Sequence, residues 1–153
     1  MNGTVVAVCI SGKKGERKIP SESARLRENH GIVGDAHAGE GERQVSLLAE
    51  ESIRKMRALG LDVGAGDFAE NITTRGVELA ALPIGTRLAV GEAVLRVTKI
   101  GKECRDRCAI YLQAGDCVMP REGIFAVVLR GGTVRAGDPV AVGKPAMTGR
   151  SPR

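Results

Sequence analysis

The stretch GKECRDRCAIYLQAGDC, residues 101–117, holds Cys104, Cys108 and Cys117, three of the four cysteines in the chain. A structural zinc site wants four ligands, usually as two tight pairs, and here the second pair is missing. Cys9 or one of the two histidines would have to travel to it from far along the chain. Cys9 sits in a run of valines, where a thiol behaves as a small apolar side chain, and Cys117 reads the same way. Cys104 differs. Its neighbours Lys102, Glu103, Arg105, Asp106 and Arg107 are wrong for a core and make an electropositive, polar setting. Lowering a thiol pKa from about 8.5 to about 6.5 raises the thiolate fraction at neutral pH from roughly 3% to roughly 75%. Cys104 is therefore the candidate nucleophile or persulfide carrier, with a packed core thiol as the competing reading.

The elements expected to position it are mostly strands. GTVVAVCI (3–10) reads as a buried strand, followed by the basic loop SGKKGERKIP. GIVGDAHAGEG (31–41) carries four glycines around Asp35 and His37 and reads as a loop with unusual backbone angles. RQVSLL is a short strand, and AEESIRKMRALG is a helix with Ile53, Met56 and Leu59 on one face and Gly60 as its stop. Its charges read as a solvated face. GTRLAVG (85–91) turns at Gly91-Glu92 into AVLRVTKI (93–100), whose alternation puts Ala93, Leu95 and Val97 on one side and Arg96 and Thr98 on the other. GIFAVVLRGG is apolar on both parities, as in a central strand. GDPVAVG (137–143) echoes GTRLAVG, which suggests similar units of one curved sheet. The pattern predicts a mainly β protein, a barrel with one or two peripheral α-helices, forming a single domain over 1–143 with a disordered tail at 144–153.

Composition narrows the function classes. At 153 residues one core suffices. The net charge of +5 suggests an anionic partner, but aromatics are only 2%, which argues against single-stranded nucleic acid and its stacking platforms. A phosphate-bearing small molecule or cofactor suits it better. No apolar run approaches the ~20 residues of a membrane helix. TVVAVCI is too short for a signal peptide, so a cytoplasmic, reducing setting is expected, where stable disulfides are uncommon.

Five segments, GIVGDAHAG, RQVSLLAEE, GDFAENITTRG, LPIGTRLAVGEAVLRVTKIGKEC and GIFAVVLRGGTVRAGDPVAV, occur in the order seen in MOSC domains. These are the domains named for the C-terminal part of molybdenum cofactor sulfurase. The chain resembles the small stand-alone bacterial type over about residues 3–142. The resemblance implies a β-barrel and places the family cysteine on Cys104, as a carrier of sulfur for a metal–sulfur centre or as a ligand to molybdenum of a bound cofactor. It implies pyridoxal phosphate only on a separate desulfurase partner. Small members tend to place His directly after the cysteine, where this chain has Arg105. If that His moves protons, the work falls to another group such as His37; if it tunes charge, Arg105 serves.

With the molybdenum cofactor (molybdopterin) as ligand, the resemblance makes Lys14, Lys18 and Arg43 candidates for phosphate and Gln44 for the pterin edge. Asp35 would fix the tautomer of His37. Asn71 would read the ligand or lock a turn. Arg121 ranks below these, and His30 reads as surface. The implied function is a sulfurtransferase loaded by a cysteine desulfurase and delivering to molybdopterin or a molybdoenzyme, with Cys108 able to resolve the persulfide. A molybdenum-binding oxidoreductase and a non-catalytic cofactor-binding or insertion module are the alternatives.

Overall fold

The computed structural model describes residues 2–13, 17–101 and 122–145. Cys104, Cys108, Cys117, Lys14 and Arg121 lie outside the described residues, as does the segment after 145. In chain order the described elements are β1 (Asn2–Ile10), β2 (Ile19–Ser21), β3 (Ser23–Arg27), β4 (Gly31–Ile32), β5 (Val45–Ala49), α1 (Glu50–Ala58) and β6 (Ile72–Arg75). A 3-10 turn at Leu79–Ala81 leads to β7 (Thr86–Val90), β8 (Ala93–Ile100), β9 (Ile124–Arg130), β10 (Gly132–Arg135) and β11 (Pro139–Pro145).

The main sheet runs β11-β7-β8-β9-β5-β6-β1-β2, and a further β11–β1 pairing closes seven of these strands into a barrel, with β2 hung on β1. The two segments that echo each other in sequence are direct partners: Val140 faces Val90, Ala141 faces Ala89 and Val142 faces Leu88 in the antiparallel β11–β7 pair. The hairpin between β7 and β8 turns on Gly91, whose φ of 55° supplies the left-handed first position of a two-residue turn. A second sheet, β10-β3-β4, lies against the barrel and gives Ala24, Leu26, Ile32 and Val134 to its core.

Alternation decides which side chains fill the barrel. Ala93, Leu95 and Val97 of β8 point inward, and Leu88 and Val90 do so from β7. The hydrophobic side chains of this core cluster are all aliphatic. Phe68 and Phe125 instead pack outside the wall with Leu48, Ile53, Met56 and Val63, in a second cluster under α1. Strand β5 is buried at all five positions because it feeds both cores.

Helix α1 ends one residue before Leu59, which is 61% exposed and so leaves the apolar face formed by Ile53 and Met56. Its charges are more engaged than a solvated face requires. Glu50 binds Arg54 and Arg75, Glu51 accepts the Gly76 N–H, and Arg57 donates to the Val63 carbonyl. The expected strand patterns hold; β3 alternates strictly as SARLR with Ala24 and Leu26 inward but is not among the strands expected, while β2, β4, β6 and β10 are too short to show a period.

One close approach is mandatory. Gly66 has φ of +87°, its carbonyl accepts the Lys18 N–H at 2.8 Å, and a Cβ there would run into the Lys18 carbonyl. Gly66→Ala is expected to destabilise the fold by at least about 2 kcal/mol, read as a lower urea midpoint at unchanged m-value.

Candidate functional site

Strand β1 ends at Ile10 and delivers Ser11 to the edge of the barrel wall. The chain returns through Lys18 into β2, and the glycine-rich loop between β4 and β5 folds over the same place. That loop is tied down by its backbone: Ala36 N–H donates to the Ser11 carbonyl at 2.8 Å, and Gly39 N–H to that of His30 at 2.7 Å.

Here Lys18, Asp35 and His37 converge. The Lys18 ammonium, with its side chain fully buried, donates to Asp35 Oδ1 at 2.8 Å, Ser11 Oγ at 3.1 Å and His37 Nδ1 at 2.9 Å. An ammonium has three N–H donors, so all are engaged. Asp35 Oδ1 also accepts the Ser11 N–H at 3.1 Å, and Oδ2 accepts the His37 N–H at 3.0 Å. Burial pushes the Asp35 carboxyl up, but the Lys18 ammonium and these backbone donors outweigh it and hold the carboxyl below its ordinary value.

The geometry corrects two expectations. Lys18 is neither a mobile phosphate-binding lysine nor a solvated one, because its charge is buried and its donors are spent. Nor does Asp35 set the His37 tautomer: Asp35 Oδ2 is 3.9 Å from Nδ1, beyond hydrogen-bond range. Lys18 sets it. An ammonium cannot accept a hydrogen bond, so Nδ1 must be the acceptor, and the ring proton of neutral His37 sits on Nε2.

Gln44 and Asn71 are structural braces. The Gln44 Oε1 accepts the Val128 N–H at 2.9 Å and its Nε2 donates to Asn29 Oδ1 at 2.9 Å. Asn71 Oδ1 accepts from Ser46 N–H and Oγ, while Nδ2 donates to the Cys9 carbonyl at 3.1 Å. Asn71 thus braces β1, β5 and the start of β6 across strands and does not lock a turn. Cys9 is fully buried, and burial, then Glu70 and Asp67, push its thiol up to about 12, which leaves it inert.

Residues 37–43 line an open pocket of about 570 Å³, with Arg43 at its rim. The Arg43 guanidinium lies 5.2 Å from the centre of the Phe125 ring. Thr98 Oγ1 donates to the Glu42 carbonyl, and to that of Phe125 at 3.2 Å. The pocket is therefore fastened to the last turn of β8 and the first of β9. Between them Gly101 N–H donates to the Gly123 carbonyl at 2.6 Å, which ties together the two ends of the segment that carries Cys104. Just after that segment, Glu122 is held by Ser52 at 2.5 Å and Lys55 at 2.9 Å. Glu40 and Glu42 accompany Arg43 in the lining, so the described side chains alone make no phosphate cradle and do not fit an anionic pterin cofactor. Among the described residues no group of three or more His, Cys, Asp or Glu is arranged to hold a metal ion, and no helix is long and apolar enough to cross a membrane.

Ser11 and Glu70 carry no local signal for their roles. Glu70 is fully buried, bonded to Thr73 Oγ1 at 2.6 Å, and burial drives its carboxyl above the ordinary value against that bond and nearby backbone N–H groups.

A closed barrel of this topology with helix α1 packed outside it and a glycine-rich loop folded on its wall, the cysteine-bearing segment lying between β8 and β9 in the chain, defines a class. The MOSC domain model matches residues 34–141, and the chain belongs to the MOSC domain family, which is associated with molybdenum-cofactor-related proteins. Its fold is similar to the YuaD protein from Bacillus subtilis, with 19% identity, TM-score 0.73, and 94% of this chain and 97% of that one covered. It is similar also to YiiM from Escherichia coli, at 20% identity and TM-score 0.67, covering 94% and 70%. YiiM from Geobacillus stearothermophilus gives 16% and 0.70, covering 93% and 75%. No curated relative matches the chain.

Two predictions come from the buried charges. Lys18→Met leaves Asp35 buried and uncompensated, and should cost about 3–5 kcal/mol in urea unfolding. Nitrogen-15 NMR of the wild type should show His37 as the Nε2–H tautomer, and Lys18→Met should mix the two tautomers. A wild-type proton on Nδ1 would refute the assignment. The second concerns pH. Asp35, lowered in the folded state, adds stability above its unfolded pKa of about 3.9 that is lost as pH falls through the folded value. Glu70, raised in the folded state, binds its proton more tightly when folded, so it subtracts stability as pH climbs from about 4.3 to its folded value. Glu70→Gln, which Thr73 can still pair with, should flatten that decline and raise Tm at neutral pH relative to acid pH.

Proposed function

We propose that the chain is a sulfur carrier in which Cys104 holds a persulfide, loaded by a cysteine desulfurase and passed on toward a molybdenum-cofactor-related metal–sulfur centre. The observation that carries this reading is the fastening of the His37–Arg43 pocket to Thr98 and Phe125, the strand ends between which the Cys104 segment is strung. Covalent length alone keeps the Cα of Cys104, three residues on, within about 11 Å of the Cα of Gly101. Membership of the MOSC family supports the acceptor class.

Loading is a thiol–persulfide exchange. The Cys104 thiolate attacks the outer sulfur of the donor's persulfide; the donor S–S bond breaks, a new S–S bond forms on Cys104, and the donor leaves as thiolate. Transfer to an acceptor thiolate is the same exchange run outward and returns Cys104 as thiolate. Lys102, Arg105 and Arg107 supply the positive surroundings that favour the anion. His37 offers the Nε2 proton as a hydrogen-bond donor to a sulfur anion. It does not act as the base, because deprotonating Cys104 through Nδ1 would require displacing Lys18.

The test is mass spectrometry after incubation with a cysteine desulfurase and cysteine. Wild type should gain one sulfur atom that reductant removes, and Cys104→Ser should gain none. Equal loading of the two overturns the carrier. His37→Ala should keep loading but slow outward transfer by about 100-fold or more, the usual size of a lost donor to a developing anion.

A further inference from the structure

Among the described residues, the outer face of β7, β8, β9 and β11 carries an uncommon charge arrangement. Alternation turns Arg87 and Ala89 outward from β7, Val94 and Arg96 from β8, Val127 and Leu129 from β9, and Ala141 from β11. Arg87 and Arg96 stand directly opposite each other in the antiparallel pair. Arg130 joins them at the β9 end, opposite Val94. Like charges facing each other across a strand pair destabilise a sheet. Among the described residues none of the three arginines forms an ion pair, and the Arg87 Nε is buried without a hydrogen-bond partner. Glu92, the acid among the described residues lining this face, accepts the Thr133 N–H on its Oε1 at 3.1 Å. An open cavity of about 870 Å³ lies on this face, lined by Arg87, Ala89, Val94, Leu129, Arg130 and Ala141 among others.

We propose that this face docks an acidic segment of a partner protein, one in which carboxylates alternate with aliphatic side chains. Charge complementarity argues for it. A carboxylate placed between Arg87 and Arg96 relieves their repulsion and satisfies the buried Nε, and Val94, Val127 and Leu129 offer apolar contact beside it. The chain's own segment after β11 has the wrong sign, carrying Arg150 and Arg153 and no acid. A nucleic-acid strand would want aromatic platforms, and Phe68 and Phe125 are both packed under α1. None of the residues that form this surface is assigned a part in the sulfur transfer.

The experiment titrates the full chain into a fluorescein-labelled, end-capped peptide of alternating Glu and Leu, read by anisotropy, with a Gln-Leu peptide and oligo-dT of matched length as comparators. Binding should weaken at least tenfold in Arg87→Glu/Arg96→Glu, weaken likewise for the Gln-Leu peptide, and be unchanged in Cys104→Ser. Amide shifts in NMR should centre on residues 87–96 and 127–130. Arg87→Gln/Arg96→Gln, which removes the repulsion and should fold at least as stably, guards against a misfolded charge reversal and should also lose binding. The proposal is overturned if no peptide binding is seen, if both double variants bind like wild type, or if oligo-dT binds more tightly than the peptide at the same arginines. Self-association of the wild type that the double variants abolish would make a second copy the occupant and overturn it too.

Discussion

The buried pair of Lys18 and Asp35 is the constraint on which the rest of the site depends. Both side chains are withdrawn from water. Desolvating two ions is costly, and their mutual attraction offsets that only when every remaining donor and acceptor is met. Ser11, His37 and the backbone N–H groups of Ser11 and His37 meet them. The pair therefore cannot form unless the end of β1, the start of β2 and the glycine-rich loop are all in place. Gly66 closes the arrangement from behind, since its carbonyl holds the Lys18 backbone where no side chain would fit.

The barrel supplies the rigidity behind this. With so few aromatics, an interior of Val, Leu, Ile and Ala has to be filled by many short side chains from every strand, and closure through β11–β1 lets it do so with no open edge between those strands. The two described phenylalanines are then free for the outer layer. Phe125 serves twice there, packing under α1 and carrying the Arg43 guanidinium on its ring.

Much of this was legible in the sequence where a pattern is local. The alternation in AVLRVTKI, the Gly91-Glu92 turn and the likeness of GDPVAVG to GTRLAVG are properties of neighbouring residues, and the fold uses each as read. Asp35 and His37 stand out because they are polar groups in a glycine-rich loop. Lys18 was legible as a charge but not as a buried one, because its partners lie 17 and 19 residues away and burial is decided by their meeting. Gln44 and Asn71 looked equally able to read a ligand or brace the chain, and only the partners of both amide atoms separate the two. The short strands β2, β4 and β6 span too few residues to show a period.

In the proposed reaction the tautomer of His37 bears on the departure at Arg105. A persulfide carrier needs its sulfur as an anion before attack and needs that anion stabilised as it leaves. Neither need calls for a base beside the cysteine if the surroundings already favour the thiolate. In that proposal Lys102, Arg105 and Arg107 would meet the first need by charge alone, and an arginine after the cysteine would strengthen it where a histidine would add a group of ordinary pKa near neutrality. The second need is for a donor, and a ring whose Nδ1 is held by an ammonium has only its Nε2–H to give. A His37 fixed by Asp35 would be pushed the other way, toward accepting a proton on Nε2 as a base. By inserting Lys18 between the two, the fold gives the His37 Nδ1 an ammonium partner in place of the carboxylate of a familiar carboxylate–imidazole pairing.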